Sequence, residues 1–267
     1  MTNDRSRPWA VVTGAARGMG RAVARQLAVA GFDLLLLDTP SPDLIEGLGY
    51  RLATADELTD TVLQCEDFGA AVVALPVDVR DAAAVSAALE HVPAGRLQAA
   101  VAVAGIIGAD KPAWEFTPAE LDLDLSVNLH GVANLARAAV PALLHAPGGH
   151  GRFVAVVSTA GQTGLPRLAG YVAAKHAALG YIRALAADLG PHGVTANAVL
   201  PGSTRSALLD HSAHVYGLPD KEAFAPHQRL QRILEPSEIA AAVAFLASPA
   251  SSAITGAAIH VDGGFVG

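Results

Sequence analysis

Short runs of Val, Leu and Ala alternate along the chain with longer stretches whose apolar positions recur at helical spacing. The runs predict strands at Trp9–Thr13, Asp33–Asp38, Ala71–Val77, Leu97–Val103, Gly151–Ser158, Val194–Leu200 and Ala257–Val261. The helical stretches predict helices at Met19–Ala30, Ala55–Gly69, Ala82–His91, Pro118–Leu144, Tyr171–Gly190 and Pro236–Ala247. Strand followed by helix, repeated, is the pattern of βαβ units. It implies a doubly wound α/β fold: a central parallel sheet of about seven strands with helices on both faces. No linker, repeat or low-complexity segment divides residues 1–267, so one domain is expected.

Two segments break the alternation. Thr39–Thr54 is a long connection containing Pro40, Pro42, Gly47 and Gly49, where such folds ordinarily use a few residues. It ends in Thr54 with Glu57 three residues on, a capping box ahead of Leu58 and Val62. Ser203–Glu235 follows the sixth strand and carries His211, His214, Tyr216, Phe224 and His227. That position is the carboxyl edge of the sheet, where ligands bind in these folds, so the segment is expected to be a substrate loop.

Composition narrows the picture. Hydrophobic residues make up 52% of the chain and charged ones 16%, enough for a large dry core. A net charge of −7 with scattered Lys and Arg argues against a nucleic-acid surface. Cys65 stands alone, which removes disulfides and cysteine-based zinc sites. The stretch Leu97–Ala109 is broken by Gly105 and Gly108 and is too short to cross a bilayer, and the start, with Asp4, Arg5 and Arg7, lacks a secretory core. A cytoplasmic location, with no membrane partner, is the expectation.

The first strand runs into Thr13-Gly14-Ala15-Ala16-Arg17-Gly18-Met19-Gly20 and then a helix. Gly14 permits the turn, Gly18 lets a pyrophosphate approach the backbone, and Gly20 allows close helix–strand packing. The following helix offers unpaired N–H groups and a positive dipole end to phosphate. This is a Rossmann-type dinucleotide site. Asp38, ending the second strand, is placed to bond the adenosine ribose and would repel a 2′-phosphate, favouring NAD over NADP. Arg17 points the other way, since a basic residue there could serve NADP.

Tyr171-Val172-Ala173-Ala174-Lys175 puts a phenol and an ammonium on one helical face. A tyrosine at its ordinary pKa near 10 is a poor base at neutral pH; Lys175 and an oxidised nicotinamide would favour the phenolate. Ser158, at the end of the fifth strand, could orient and stabilise a substrate oxygen. Asn128, inside a predicted helix, fits either a backbone-satisfying amide or a reaction role. His211 and His214 stand at metal-ligand spacing, but no third ligand is evident and no metal is expected.

These residues together resemble the short-chain dehydrogenase/reductase family along nearly the whole chain. The resemblance rests on Thr13-Gly14-x-x-x-Gly18-x-Gly20, Asp78-Val79, Ala104-Gly105, Asn128, Ser158, Tyr171-x-x-x-Lys175 and Pro201-Gly202. It implies Tyr171 as acid/base, Lys175 binding the nicotinamide ribose and tuning Tyr171, Ser158 holding the substrate oxygen, and Asn128 positioning a relay water. It further implies Asp78 and Val79 at the adenine, Ala104 and Gly105 at the ribose, Pro201, Gly202 and Thr204 on the nicotinamide side, and a homotetramer. Ala102-Val103-Ala104-Gly105 replaces the usual Asn-Asn-Ala-Gly, which removes an expected polar tie at the fourth strand.

A narrower likeness lies in Tyr50-x-Leu52-Ala53-Thr54-Ala55-Asp56-Glu57-Leu58, in Pro201-Gly202-Ser203-Thr204-Arg205, and in Val261-Asp262-Gly263-Gly264-Phe265. These resemble the mycofactocin-coupled, carveol dehydrogenase-like branch, whose members hold NAD without exchange while a redox peptide cofactor, mycofactocin, re-oxidises it. The Thr39–Thr54 insert would then cover the adenosine end of NAD. The resemblance implies an oxidoreductase interconverting an apolar secondary alcohol and its ketone. Two alternatives remain at this point: a 3-oxoacyl-carrier-protein reductase, with Lys221, Arg229 and Arg232 receiving an acidic carrier, and a non-catalytic NAD-binding sensor.

Overall fold

The computed structural model of the protein describes residues 7–39, 41, 43–45 and 48–266. Pro40, Pro42 and Gly47 of the long connection, and Asp4 and Arg5 at the start, lie outside the described residues. Seven strands form one sheet: β1 (Trp9–Thr13), β2 (Asp33–Asp38), β3 (Val72–Pro76), β4 (Leu97–Ala102), β5 (Arg152–Val156), β6 (Thr195–Pro201) and β7 (Ala258–Val261). Their order is β3-β2-β1-β4-β5-β6-β7 and every pair is parallel. The order reverses between β1 and β4, which opens a crevice at the carboxyl ends of those strands.

Side-chain alternation builds two cores from one sheet. Val11, Leu35, Leu37, Ala100, Phe153 and Ala155 face one layer, packed by α3 (Ala82–Leu89), α5 (Gly131–Leu143) and α6 (Ala169–Leu189). Ala10, Val12, Leu34, Leu36, Val101 and Val154 face the other, packed by α1 (Gly18–Val29), α2 (Ala55–Glu66) and α8 (Pro236–Ala247). Leu34 to Leu37 are all fully buried, which explains a continuous apolar run where a half-exposed strand would alternate. Each such side chain contributes about 1.5–3 kcal/mol of transfer free energy.

The predicted elements are present, with ends trimmed by one to three residues at most strands and helices. Two differences are larger. The single helix expected over Pro118–Leu144 is α4 (Pro118–Leu125) and α5 joined by a π-turn at Ser126–His130. Asn128 lies at its centre: its side-chain amide donates to the Asp124 carbonyl at 3.0 Å, and Gly131 N–H reaches back to Ser126. Second, the segment after β6 holds a helix, α7 (Ala207–Val215), capped by the Ser206 hydroxyl, and a 3₁₀ stretch over Lys221–His227. The capping box at Thr54 and Glu57 forms as expected. Among the described residues no helix is long and apolar enough to cross a membrane.

Candidate active site

The loop between β1 and α1 is shaped by what its glycines lack. Gly14 and Gly18 take φ of +66° and +55°. A Cβ on Gly14 would lie 2.7 Å from the Ala104 backbone, and one on Gly20 only 1.8 Å from the Gly14 carbonyl. Around Gly18 the space is open, facing the crevice. Thr13, behind the loop, accepts hydrogen bonds from Val103 N–H at 3.1 Å and Ala104 N–H at 3.3 Å. That hydroxyl ties β1 to the end of β4 and supplies a polar link where the usual asparagines are missing.

Asp38 closes the same end of the crevice. Its carboxylate accepts from Ala16 N–H and Thr39 N–H, each at 2.7 Å. Burial pushes its carboxyl above the ordinary range, opposed by those N–H groups and by Arg17. Asp78 pairs with Arg80 at 2.6 Å, and the adjoining Val79 carbonyl is held by Asn134, a residue the sequence did not single out. Gly14, Arg17, Gly18, Met19, Gly20, Asp38, Asp78, Val79, Ala104 and Gly105 all line one cleft of about 450 Å³, and Tyr171 and Lys175 stand at its inner end.

A second cleft, also of about 450 Å³, meets the first at Met19, Val157 and Tyr171. Ser158, Pro201, Gly202 and Thr204 line this second space. The rest of its wall is mostly apolar, with Leu165, Leu168, Leu209 and Phe224, and Phe265 reaches in from the chain's end. Among the described residues no Asp, Glu, Lys or Arg lines it. Sequence reasoning missed the Leu165–Leu168 turn and Phe265 as wall residues, since neither carries a local chemical signal.

The reaction candidates converge at the junction. Ser158 lies two residues beyond β5 and accepts from Ala160 N–H at 3.1 Å, so it caps a short 3₁₀ turn while its hydroxyl stands against the Tyr171 phenol. Lys175 Nζ lies 5.6 Å from the Tyr171 ring centroid and donates to the Val156 carbonyl at 3.3 Å. Burial draws the Lys175 ammonium down to about 8. Burial also pushes the Tyr171 phenol up to about 12, with Ser158 working against it. The Lys175 ammonium lies over the face of that ring. Asn128 is fully buried beside this pair: it accepts from Ile106 N–H at 3.1 Å and donates to the Ile106 carbonyl at 2.9 Å.

The insert reaches the same place from above. Ile45, Leu48 and Leu52 pack on Val79, Ile106 and Val127. The Tyr50 hydroxyl accepts from Ile107 N–H at 3.0 Å, and its ring lies 4.9 Å from that of His211 on α7. Gly49 lets them meet, since a Cβ there would come within 2.6 Å of the imidazole. His211 is buried and pushed below its ordinary value by desolvation, whereas His214 is exposed. The two histidines therefore face apart. Of the basic residues considered for an acidic carrier, Lys221 pairs with Asp210 and Arg232 with Glu238, both at 2.7 Å.

Residues 14–266 match a family profile described as enoyl-(acyl carrier protein) reductase. With the fold and this site, the match shows that the chain belongs to the short-chain dehydrogenase/reductase family of oxidoreductases. Within that family it is carveol dehydrogenase-like. It is 34% identical to the (-)-trans-carveol dehydrogenase of Rhodococcus erythropolis, covering 96% of each chain. It is 35% identical to an NAD-dependent oxidoreductase of Mycobacterium tuberculosis, over 96% of this chain and 94% of that one. The crystal structure of carveol dehydrogenase from Mycobacterium avium in complex with NAD is similar at a TM-score of 0.89 and 34% identity, covering 96% of each chain.

Proposed function

We propose that the protein is an NAD-dependent dehydrogenase that interconverts an apolar secondary alcohol and its ketone by hydride transfer. The observation that carries this reading is the placement of Tyr171, buried where a glycine-floored, Asp38-ended cleft meets an uncharged apolar one. The first cleft fits NAD: side chains are sterically barred at Gly14 and Gly20, the face at Gly18 is open, and the Asp38 carboxylate suits a ribose diol better than a 2′-phosphate. When bound, NAD supplies the hydride acceptor, and its oxidised ring favours the phenolate of Tyr171.

Tyr171 accepts the alcohol's proton as its carbon gives up hydride. Ser158 donates to the substrate oxygen and steadies the charge that gathers there. Lys175 holds positive charge beside the phenolate, and Asn128, anchored on Ile106, stands on the proton's way out. Reversal reduces the ketone. Pro201, Gly202 and Thr204 border the substrate side of the junction.

The insert supports a further part of this reading. With Ile45, Leu48 and Leu52 packed against Val79 and Ile106, and Tyr50 bonded to Ile107, NAD would be held without ready exchange and re-oxidised in place by an external acceptor of the mycofactocin kind. The carrier-protein reading is weaker, because two of its three basic candidates, Lys221 and Arg232, are engaged in ion pairs, which leaves Arg229 alone.

The test is Tyr171→Phe on protein purified with its cofactor. Turnover of an alcohol panel with an artificial electron acceptor should fall by ~10³-fold or more, while the NAD content stays as in wild type. Residual activity near the wild-type level would remove Tyr171 as acid/base. Co-purified NADP in place of NAD would overturn the reading of Asp38.

A further inference from the structure

Asp124 is a carboxylate that the scheme above leaves without a task. It sits in the last turn of α4, four residues before Asn128 and so on the same helical face, and is completely buried. One oxygen, Oδ1, accepts from Gly108 N–H at 3.1 Å. The other, Oδ2, has no hydrogen-bond partner among the described residues. Two glycines make its room: a Cβ on Gly170 would lie 2.4 Å from Oδ2, and one on Gly108 3.0 Å from it. Gly170 immediately precedes Tyr171 in the first turn of α6, on which α4 packs.

A serine or asparagine could take the Gly108 N–H without burying a charge, and a buried charge is costly unless an opposite one answers it. Around Asp124, Gly170 carries Tyr171 beside Oδ2, Ile107 bonds the Tyr50 hydroxyl next to Gly108, and His211 stacks on Tyr50, with Asp110 two residues beyond Gly108. Asn128, whose amide donates to the Asp124 carbonyl at 3.0 Å, leads to Lys175, since a Cβ on Gly105 would lie 2.9 Å from Asn128 Oδ1 and 3.3 Å from Lys175 Nζ. Lys111 is engaged by Glu120 at 2.7 Å, at the far end of α4. Lys175 is therefore the buried cation left to answer it, at a distance and without a direct ion pair, since its own hydrogen bond goes to Val156.

We infer that Asp124 is a positioning residue for this reaction, the fixed counter-charge that holds Lys175 as an ammonium beside Tyr171. The assignment rests on the reading of Tyr171 and Lys175 as the reacting pair. Burial raises the Asp124 carboxyl to about 6 and draws Lys175 down to about 8, with each charge opposing the other's shift. Between those values the site holds carboxylate and ammonium together. Without the carboxylate, burial alone would strip the proton from Lys175 nearer neutrality.

The chain has only three lysines, Lys111, Lys175 and Lys221, so isotopically labelled lysine side-chain nitrogens give few NMR signals, and Lys175→Arg assigns the one of interest. The titration is run on the protein as purified, wild type against Asp124→Asn. The Lys175 midpoint should fall by about one pH unit or more in the variant, with Lys111 and Lys221 unmoved, and the alkaline limb of alcohol oxidation should move down with it. An unmoved Lys175 in a folded variant overturns the assignment. If the variant does not fold, the wild type decides: its Lys175 signal should show a second inflection near pH 6, where Asp124 takes a proton, and absence of that inflection overturns the assignment equally. The lysine titration needs no turnover. A moved Lys175 in a protein that oxidises no alcohol would count against the dehydrogenase reading while supporting the role of Asp124.

Discussion

Lys175 is a buried cation, and this has a consequence for stability that is separate from chemistry. Its ordinary value is 10.5, and burial draws it down to about 8. Between these values the unfolded chain binds a proton that the folded one does not, so stability rises with pH through this window and is lost as pH falls through 8. Lys175→Met combined with Asp124→Asn removes both buried charges, so the double variant should abolish turnover yet raise the thermal midpoint at pH 7 by roughly 2–4 °C. A lower midpoint for the variant at neutral pH would contradict this. Gly20→Ala should do the reverse, losing both cofactor and several degrees, because a Cβ there collides with the Gly14 carbonyl. At this scale Tyr171, Ser158, Lys175 and the glycines were legible, since each belongs to a spaced pattern. Asp124 and Phe265 were not. The clue to Asp124 was its spacing of four from Asn128 within an apolar stretch, and its meaning needed Gly170 from a distant helix.

Among elements, the insert is the one whose role a simple variant can read. Tyr50 joins it to the turn after β4 and to α7 through one hydroxyl and one ring contact. Tyr50→Ala should speed exchange of bound NAD by ~10-fold or more, about 1.4 kcal/mol per decade, as followed by displacement with labelled NAD. Removal of residues 39–50 should do so at least as strongly, and retention unchanged in both would show that the insert is not a cover. Strands and long helices could be read from periodicity because the sheet is buried on both faces and its helices on one. The π-turn could not, because a single widened turn leaves the apolar spacing on either side helical. Nor could α7, nine residues long and set among turns, whose one signal was the cap at Ser206.

For the whole molecule, two properties act together on substrate choice. The second cleft has no charged side chain among its described walls, and the chain carries a net charge of −7. An anionic substrate would lose hydration on entry and approach a surface of its own sign. A neutral secondary alcohol should therefore exceed its carboxylated analogue by ~10²-fold or more in kcat/KM, a gap of about 2.7 kcal/mol, and comparable rates for the two would reject the apolar reading of the cleft.

His211 gives this arrangement one more consequence. It belongs to α7, which borders both clefts through Leu208, and its ring rests on Tyr50, which borders the cofactor cleft. Any alcohol whose binding steadies α7 also steadies the insert, and thermodynamic reciprocity then requires that NAD, once held, tighten the alcohol by the same factor. The two ligands would behave as partners in a heterotropic pair, each raising the other's affinity through the Tyr50–His211 contact.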